Sequence, residues 1–155
     1  MAYEVPRRVF ALGRWIRHGG WYPEWRVRLF DRRRGRWGGV DPHDRFEAQG
    51  PVERLTGGHL EHHTWRSLHD FAAKQNRFST VAAREAFARG RRASALDLLL
   101  RPPFRFLRMY ALKAGFLDGW AGFQLARLEA FTVFLKYAKL RELERAGPAE
   151  APEGR

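Results

Sequence analysis

The sequence predicts an α+β chain, with a few short strands up to about residue 64 and three or four helices after it. Two observations carry this reading. Before residue 64, short runs of period two alternate with glycine-rich turns; after it come long apolar stripes at helical spacing with few breaks. A third observation is the stretch LLLRPPFRFLRMYALKAGFLDGWAGF at 98–123, which mixes six aromatic rings with Arg101, Arg105, Arg108 and Lys113. An ordinary core helix keeps its arginines on one face. Here they recur beside large apolar groups at almost every turn, a mixture suited to a boundary between hydrocarbon, anionic head groups and water. A buried helical hairpin with outward-snorkelling arginines accounts for it equally well.

The elements follow in order. Residues 3–10 alternate weakly and read as a strand. GRWIRHGG at 13–20 reads as a turn of helix ended by its glycine pair. RVRLF at 26–30 alternates basic and apolar residues, the pattern of a half-buried strand. Residues 32–36 form a basic turn and DPHD at 41–44 a loop. Residues 45–48 and 52–55 read as two strands joined through Gln49-Gly50-Pro51, and 60–65 as a last extended segment after the Gly57-Gly58 turn. Ser67 is a candidate N-cap for a helix to about residue 89 with Phe71, Phe78, Val81, Ala82 and Phe87 on its apolar stripe. Ser94 caps a short helix that Pro102 and Pro103 stop, and those prolines open the next, which runs to about residue 114. The last helix spans about 117–145, and Gly147-Pro148 begins a tail to residue 155 whose composition predicts disorder.

So few short strands make a poor independent sheet. The first 64 residues therefore read as the end of a larger mixed sheet, with Met1 falling inside a domain; a small α+β domain packing on its own helices is the alternative. The net charge of +12 points to an anionic partner: nucleic acid, a phospholipid surface or a phosphorylated substrate. Six tryptophans and twelve phenylalanines favour a membrane or a saccharide over duplex nucleic acid. No helix-turn-helix, zinc-finger or RNP-like pattern is visible, so nucleic acid is disfavoured. There is no cysteine, hence no disulfide frame and no thiolate metal site. The opening residues lack a signal peptide's apolar region, and no run reaches the ~18 apolar residues of a spanning helix. The expectation is a cytoplasmic chain that lies on the inner face of a membrane without crossing it.

Several segments, taken together and in order, resemble the C-terminal half of family-2-type glycosyltransferases, in particular the bacterial lipopolysaccharide-core branch. They are RWIRHGGWYPEWRVRLF at 14–30, PHDRFE at 42–47, HLEHHTWRSL at 59–68, NRFSTVAA at 76–83, ASALDLLLRPPFRFLRMYALKAGFLDGWAGF at 93–123 and FLKYAKLRELE at 134–144. The resemblance implies the acceptor-side back of a GT-A domain at 1–64, a helical membrane-associated extension at 65–146 and the tail at 147–155. It implies sugar transfer from a nucleotide-sugar donor to a lipid-linked or lipopolysaccharide-core acceptor, with a divalent metal, Mg or Mn, in the complete enzyme. The sequence contains neither the Asp-X-Asp metal motif nor a phosphate-cradling glycine loop of such enzymes. The expectation is that the chain is inactive without a nucleotide-binding half. A basic membrane-surface or nucleic-acid-binding protein without catalysis is the competing reading.

Inverting transfer needs a base for the acceptor hydroxyl and positive charge for the departing diphosphate. The resemblance points to Asp44 as the base, with Glu47 as runner-up; spacing alone leaves Asp44 equally a turn cap or the partner of Arg45. His62 lies where GT-A enzymes place a metal-associated histidine, and an ordinary strand-end histidine is the alternative. His59, His62 and His63 form a cluster whose spacings of three and one, without cysteine or a further partner, make a weak zinc signal. Arg14, Arg17, His18, Trp21, Tyr22, Trp25, Arg26, Arg28 and His43 are candidates for acceptor or phosphate contact, since aromatic faces stack on sugars and arginines hold phosphate. Arg101, Arg105, Arg108, Lys113 and Trp120 are assigned to anionic lipid.

Overall fold

The structure is a computed structural model, and it describes residues 1–38, 45–65 and 67–146. Its centre is β1 (Ala2–Ala11), which is lined by strands on both edges. On one edge β2 (Arg14–Ile16) and β3 (Glu24–Phe30) run antiparallel to it. Later in the chain come a separate two-stranded ribbon, β4 (Gly35–Gly38) with β5 (Arg45–Ala48), and then β6 (Val52–Arg54) and β7 (Leu60–Trp65). Strands β6 and β7 pair with the other edge of β1 in parallel, so the sheet is mixed. The ribbon is tied to β3 by rings: Phe46 stacks on Phe30 at 3.6 Å, and Trp37 meets both edge-on.

One expectation for this half is corrected. Residues 13–20 are not a turn of helix. Leu12 and Gly13, with φ of 52° and 80°, make a two-residue hairpin turn into β2. The strand wins because it carries Ile16 into the core beside Val9 and Ala11. The two strands expected at 45–48 and 52–55 are both present, β5 joining β4 and β6 joining β1. The basic turn at 32–36 runs into β4, which the arginines hid.

Helix α1 (Leu68–Ala88) starts on the Ser67 cap, whose hydroxyl accepts from the Asp70 amide. Its contact face is Phe71, Ser79, Ala83 and Ala86, so the small residues meet the neighbouring helix while Phe78, Val81 and Ala82 stand half-buried beside a cleft. Helix α2 (Ala95–Leu107) passes straight through Pro102 and Pro103, which neither stop it nor start another. No residue of α2 is fully buried, so the carbonyls of Leu98 and Leu99 that lose proline donors can turn to water. A complete capping box also holds it: the Ser94 hydroxyl accepts from the Asp97 amide, and the Asp97 carboxylate accepts from the Ser94 amide. These bonds, led by one from Arg101, hold the Asp97 carboxyl down at about 2. The capping stability is therefore present above pH ~4 and lost as pH falls toward the folded value. A carboxyl-carbon NMR titration of Asp97 should show a midpoint near 2 in the folded chain; a midpoint near 4 would break the assignment.

A π turn at Arg108–Leu112 and a 3₁₀ turn at Gly115–Asp118 lead into α3 (Gly119–Ala146). Helices α1 and α2 both pack on α3. One core cluster joins sheet to helices through Val9, Ile16, Trp65, Phe71 and Leu125; a second joins the far ends of α1 and α3 through Ala83, Ala86 and Leu140. Glycine is required where the 3₁₀ turn crosses α3. A Cβ on Gly122 would lie 1.9 Å from the Gly115 carbonyl oxygen, which is backbone and cannot swing away. Gly122→Ala should destabilise the chain by about 3 kcal/mol, read from urea midpoints; a change under about 0.5 kcal/mol would show that the contact relaxes freely.

Candidate functional site

Side chains alternate along the strands, so Arg7 and Val9 of β1, Glu24 and Arg26 of β3, and His62 and Thr64 of β7 share the face turned to the helices. Between that face and α1 and α3 lies a cleft of about 450 Å³. Arg7, Arg26, Arg28 and His62 enter it from the sheet, and Lys74, Lys136 and Glu129 from the helices. Its apolar wall includes Phe78 and Val133. Arg7, Trp21 and Glu129 continue into a smaller cavity of about 230 Å³, where Gly20, Arg105, Arg108 and Lys113 also meet.

The charges are only partly paired. Glu24 takes both Arg7 and Arg26. Burial pushes its carboxyl up, but hydrogen bonds from the two guanidinium groups outweigh that and hold it below the usual range. Glu129 accepts from Arg105 at 2.8 Å and from the Gln75 amide at 3.0 Å. The His62 ring is pushed below the usual histidine value by burial first and then by the positive charges of Arg7 and Lys74. A positive field of this kind opposes a divalent cation, so the surroundings of His62 do not fit the metal role expected for it. Among the described residues no group of three or more histidine, aspartate or glutamate side chains is placed to hold a metal.

The loop from β2 to β3 is fastened by one buried carboxylate. Asp118, whose side chain is 2% exposed, accepts from the backbone amides of Arg17 at 3.0 Å and His18 at 2.7 Å, and its other oxygen lies 3.2 Å from His18 Nδ1. Arg14 donates to the Asp118 carbonyl at 2.8 Å. The Gly19 amide donates to the Lys113 carbonyl at 2.8 Å. Trp21 is thereby set edge-on against Trp65, at the junction of sheet and helices.

The structure thus gathers Trp21, Arg26, Arg28 and His62 in one cleft, and Arg14, Arg17 and His18 around Asp118. Tyr22 precedes Pro23 through a cis peptide in the same loop. Trp25 points elsewhere and lies under the Arg54 guanidinium, 4.8 Å from the ring centre. Glu47 sits on the outer ribbon and meets Arg36 at 3.3 Å, a solvent-facing pair. His43 and Asp44 lie outside the described residues. In the helical half, Arg101 is engaged by Asp97 and Arg105 by Glu129, whereas Trp120 is 70% exposed and stacks on Phe123. Sequence reasoning missed Arg7, Lys74, Lys136 and Asp118. Nothing in one helix marks Lys74 or Lys136; their common neighbour is the sheet.

No family model and no solved structure matches the chain. Among curated proteins it is similar to the lipopolysaccharide core biosynthesis glycosyltransferase LpsC of Rhizobium meliloti, with 28% identity over 146 residues, 90% of this chain and 52% of that protein. Uncharacterized glycosyltransferases of Rickettsia typhi and Rickettsia prowazekii are 30% and 29% identical over 89 residues, 57% of this chain and 30% of each of theirs. The chain spans about half the length of LpsC and less of the others. The resemblance to lipopolysaccharide-core glycosyltransferases is borne out along nearly the whole chain.

Proposed function

We propose that this chain is the acceptor-side portion of an inverting glycosyltransferase that works at an anionic membrane surface on a lipid-linked or lipopolysaccharide-core saccharide. The glycosyltransferase relatives support the transferase reading. The observation that carries the membrane reading is an uncovered apolar face. Leu96, Leu99, Leu100, Phe104 and Leu107 of α2, then Leu112, Phe116, Leu117 and Trp120, are all at least half exposed. Such a face far exceeds scattered surface apolar residues, and Arg101, Arg108 and Lys113 stand among it. Basic groups near an anionic surface contribute about 1 kcal/mol each and the apolar groups add burial. Among the described residues no helix is long and apolar enough to cross a membrane, so the proposed attachment is peripheral.

In this reading Asp44 takes the proton from the acceptor hydroxyl, while a nucleotide-binding half supplies most of the donor site and the divalent metal. Asp44→Asn in the complete enzyme should lower kcat by a factor of 10² or more with little change in donor KM. Undiminished transfer would remove Asp44 from the mechanism. Co-sedimentation of the chain with phosphatidylglycerol vesicles, but not with neutral vesicles, tests the membrane half; equal binding to RNA and no vesicle binding would favour a nucleic-acid-binding protein instead.

A further inference from the structure

The cleft between sheet and helices is supplied with donors and short of acceptors. Its carboxylates are already engaged: Glu24, at its margin, by Arg7 and Arg26, Glu129 by Arg105 and Gln75, and Glu85 by Arg89. Arg28, Lys74 and Lys136 project into the same space and form no ion pair among the described residues. Three further polar atoms of its lining residues, the indole nitrogens of Trp21 and Trp65 and the Thr64 hydroxyl, are buried with no hydrogen-bond partner among the described residues. Trp65 is only 8% exposed, and an indole N–H can only donate, so each ring lacks an acceptor. These three atoms are closed off from the cleft itself, so the charge there that lacks a counter-ion is that of Arg28, Lys74 and Lys136. Lys136 carries the same signature: burial first, then Arg91 and Arg101, push its amine below the usual lysine value.

We propose that this cleft is an oxyanion site for a phosphate or diphosphate group, held by Arg28, Lys74 and Lys136. A volume of about 450 Å³ exceeds what one phosphate fills, and the Phe78–Val133 wall is apolar. The phosphate is therefore carried on an organic group. Within the transferase reading, on which the choice of probes rests, that group is either a nucleoside or the hydrocarbon chain of a lipid carrier.

Calorimetric titration of the chain at low ionic strength with inorganic pyrophosphate tests the site. Lys74→Gln/Lys136→Gln should weaken pyrophosphate binding roughly thirtyfold. A charge-matched control on the remote basic turn, Arg32→Gln/Arg34→Gln, should leave it within about twofold. Arg28→Gln, a single change on an exposed strand position, should weaken it about fivefold and checks the result where the double variant is destabilised. Equal losses in the cleft and control variants would mean diffuse charge and overturn the proposal, as would no binding by the unaltered chain. Tighter binding of uridine diphosphate than of pyrophosphate assigns the cleft to the donor; tighter binding of geranyl phosphate assigns it to the lipid. These titrations need no sugar transfer, so their failure leaves the transferase reading standing, and loss of that reading leaves the anion site.

Discussion

Asp118→Ala is expected to destabilise the chain by about 3 kcal/mol or more and to release the loop between β2 and β3. The carboxylate is buried and holds two backbone amides that have no other partner among the described residues. Alanine would leave both donors dry, and the His18 ring would lose its anchor. Asp118→Asn keeps one acceptor oxygen but turns an amide N–H₂ toward donors, so it should lose roughly half as much. The checks are urea midpoints together with near-ultraviolet circular dichroism, because the edge-on Trp21–Trp65 pair gives a signal that depends on the loop. A variant within about 0.5 kcal/mol of the unaltered chain would show that the loop is held by something else. Since Trp21 lines both cavities and Gly20 the smaller one, the same variant should weaken any ligand of the cleft without touching the cations that hold it.

The second large effect concerns the uncovered face. Leu99→Ser/Leu100→Ser/Phe104→Ser/Trp120→Ser should lower partition onto anionic vesicles by roughly three orders of magnitude, taking about 1 kcal/mol for each half-exposed group that hydrocarbon would cover. The fold should survive, because these side chains are 60–70% exposed and support little of the core. Arg101→Gln/Arg108→Gln/Lys113→Gln should lower partition about a hundredfold at low salt and less at high salt, since only the electrostatic part is screened. The two sets separate insertion from attraction. If neither set alters partition, the face is covered by protein rather than by lipid, and the membrane reading falls.

Residue patterns by themselves determined the division near residue 64, the strands at 2–11, 24–30 and 60–65 to within two residues, the Ser67 and Ser94 caps, and the long last helix. These depend on local periodicity and on side chains that bond within three residues of themselves, so one segment suffices to read them.

The tertiary structure decided the rest. GRWI at 13–16 became a hairpin because Ile16 completes a core that includes Phe71 and Leu125, over fifty residues away. Pro102 and Pro103 stayed inside one helix because α2 is never fully enclosed and its freed carbonyls reach solvent. By sequence alone the GFLDGWAGF stretch at 115–123 is an apolar run interrupted by glycines and one aspartate. Its aspartate proved to be the clasp of a distant loop, and Gly122 the point where two backbone segments touch. The cleft is the least visible: Arg28 of β3 stands out as a candidate for phosphate contact, but Lys74 of α1 and Lys136 of α3 each read alone as an ordinary solvated charge. Only the packing of helices on one sheet face brings those charges together.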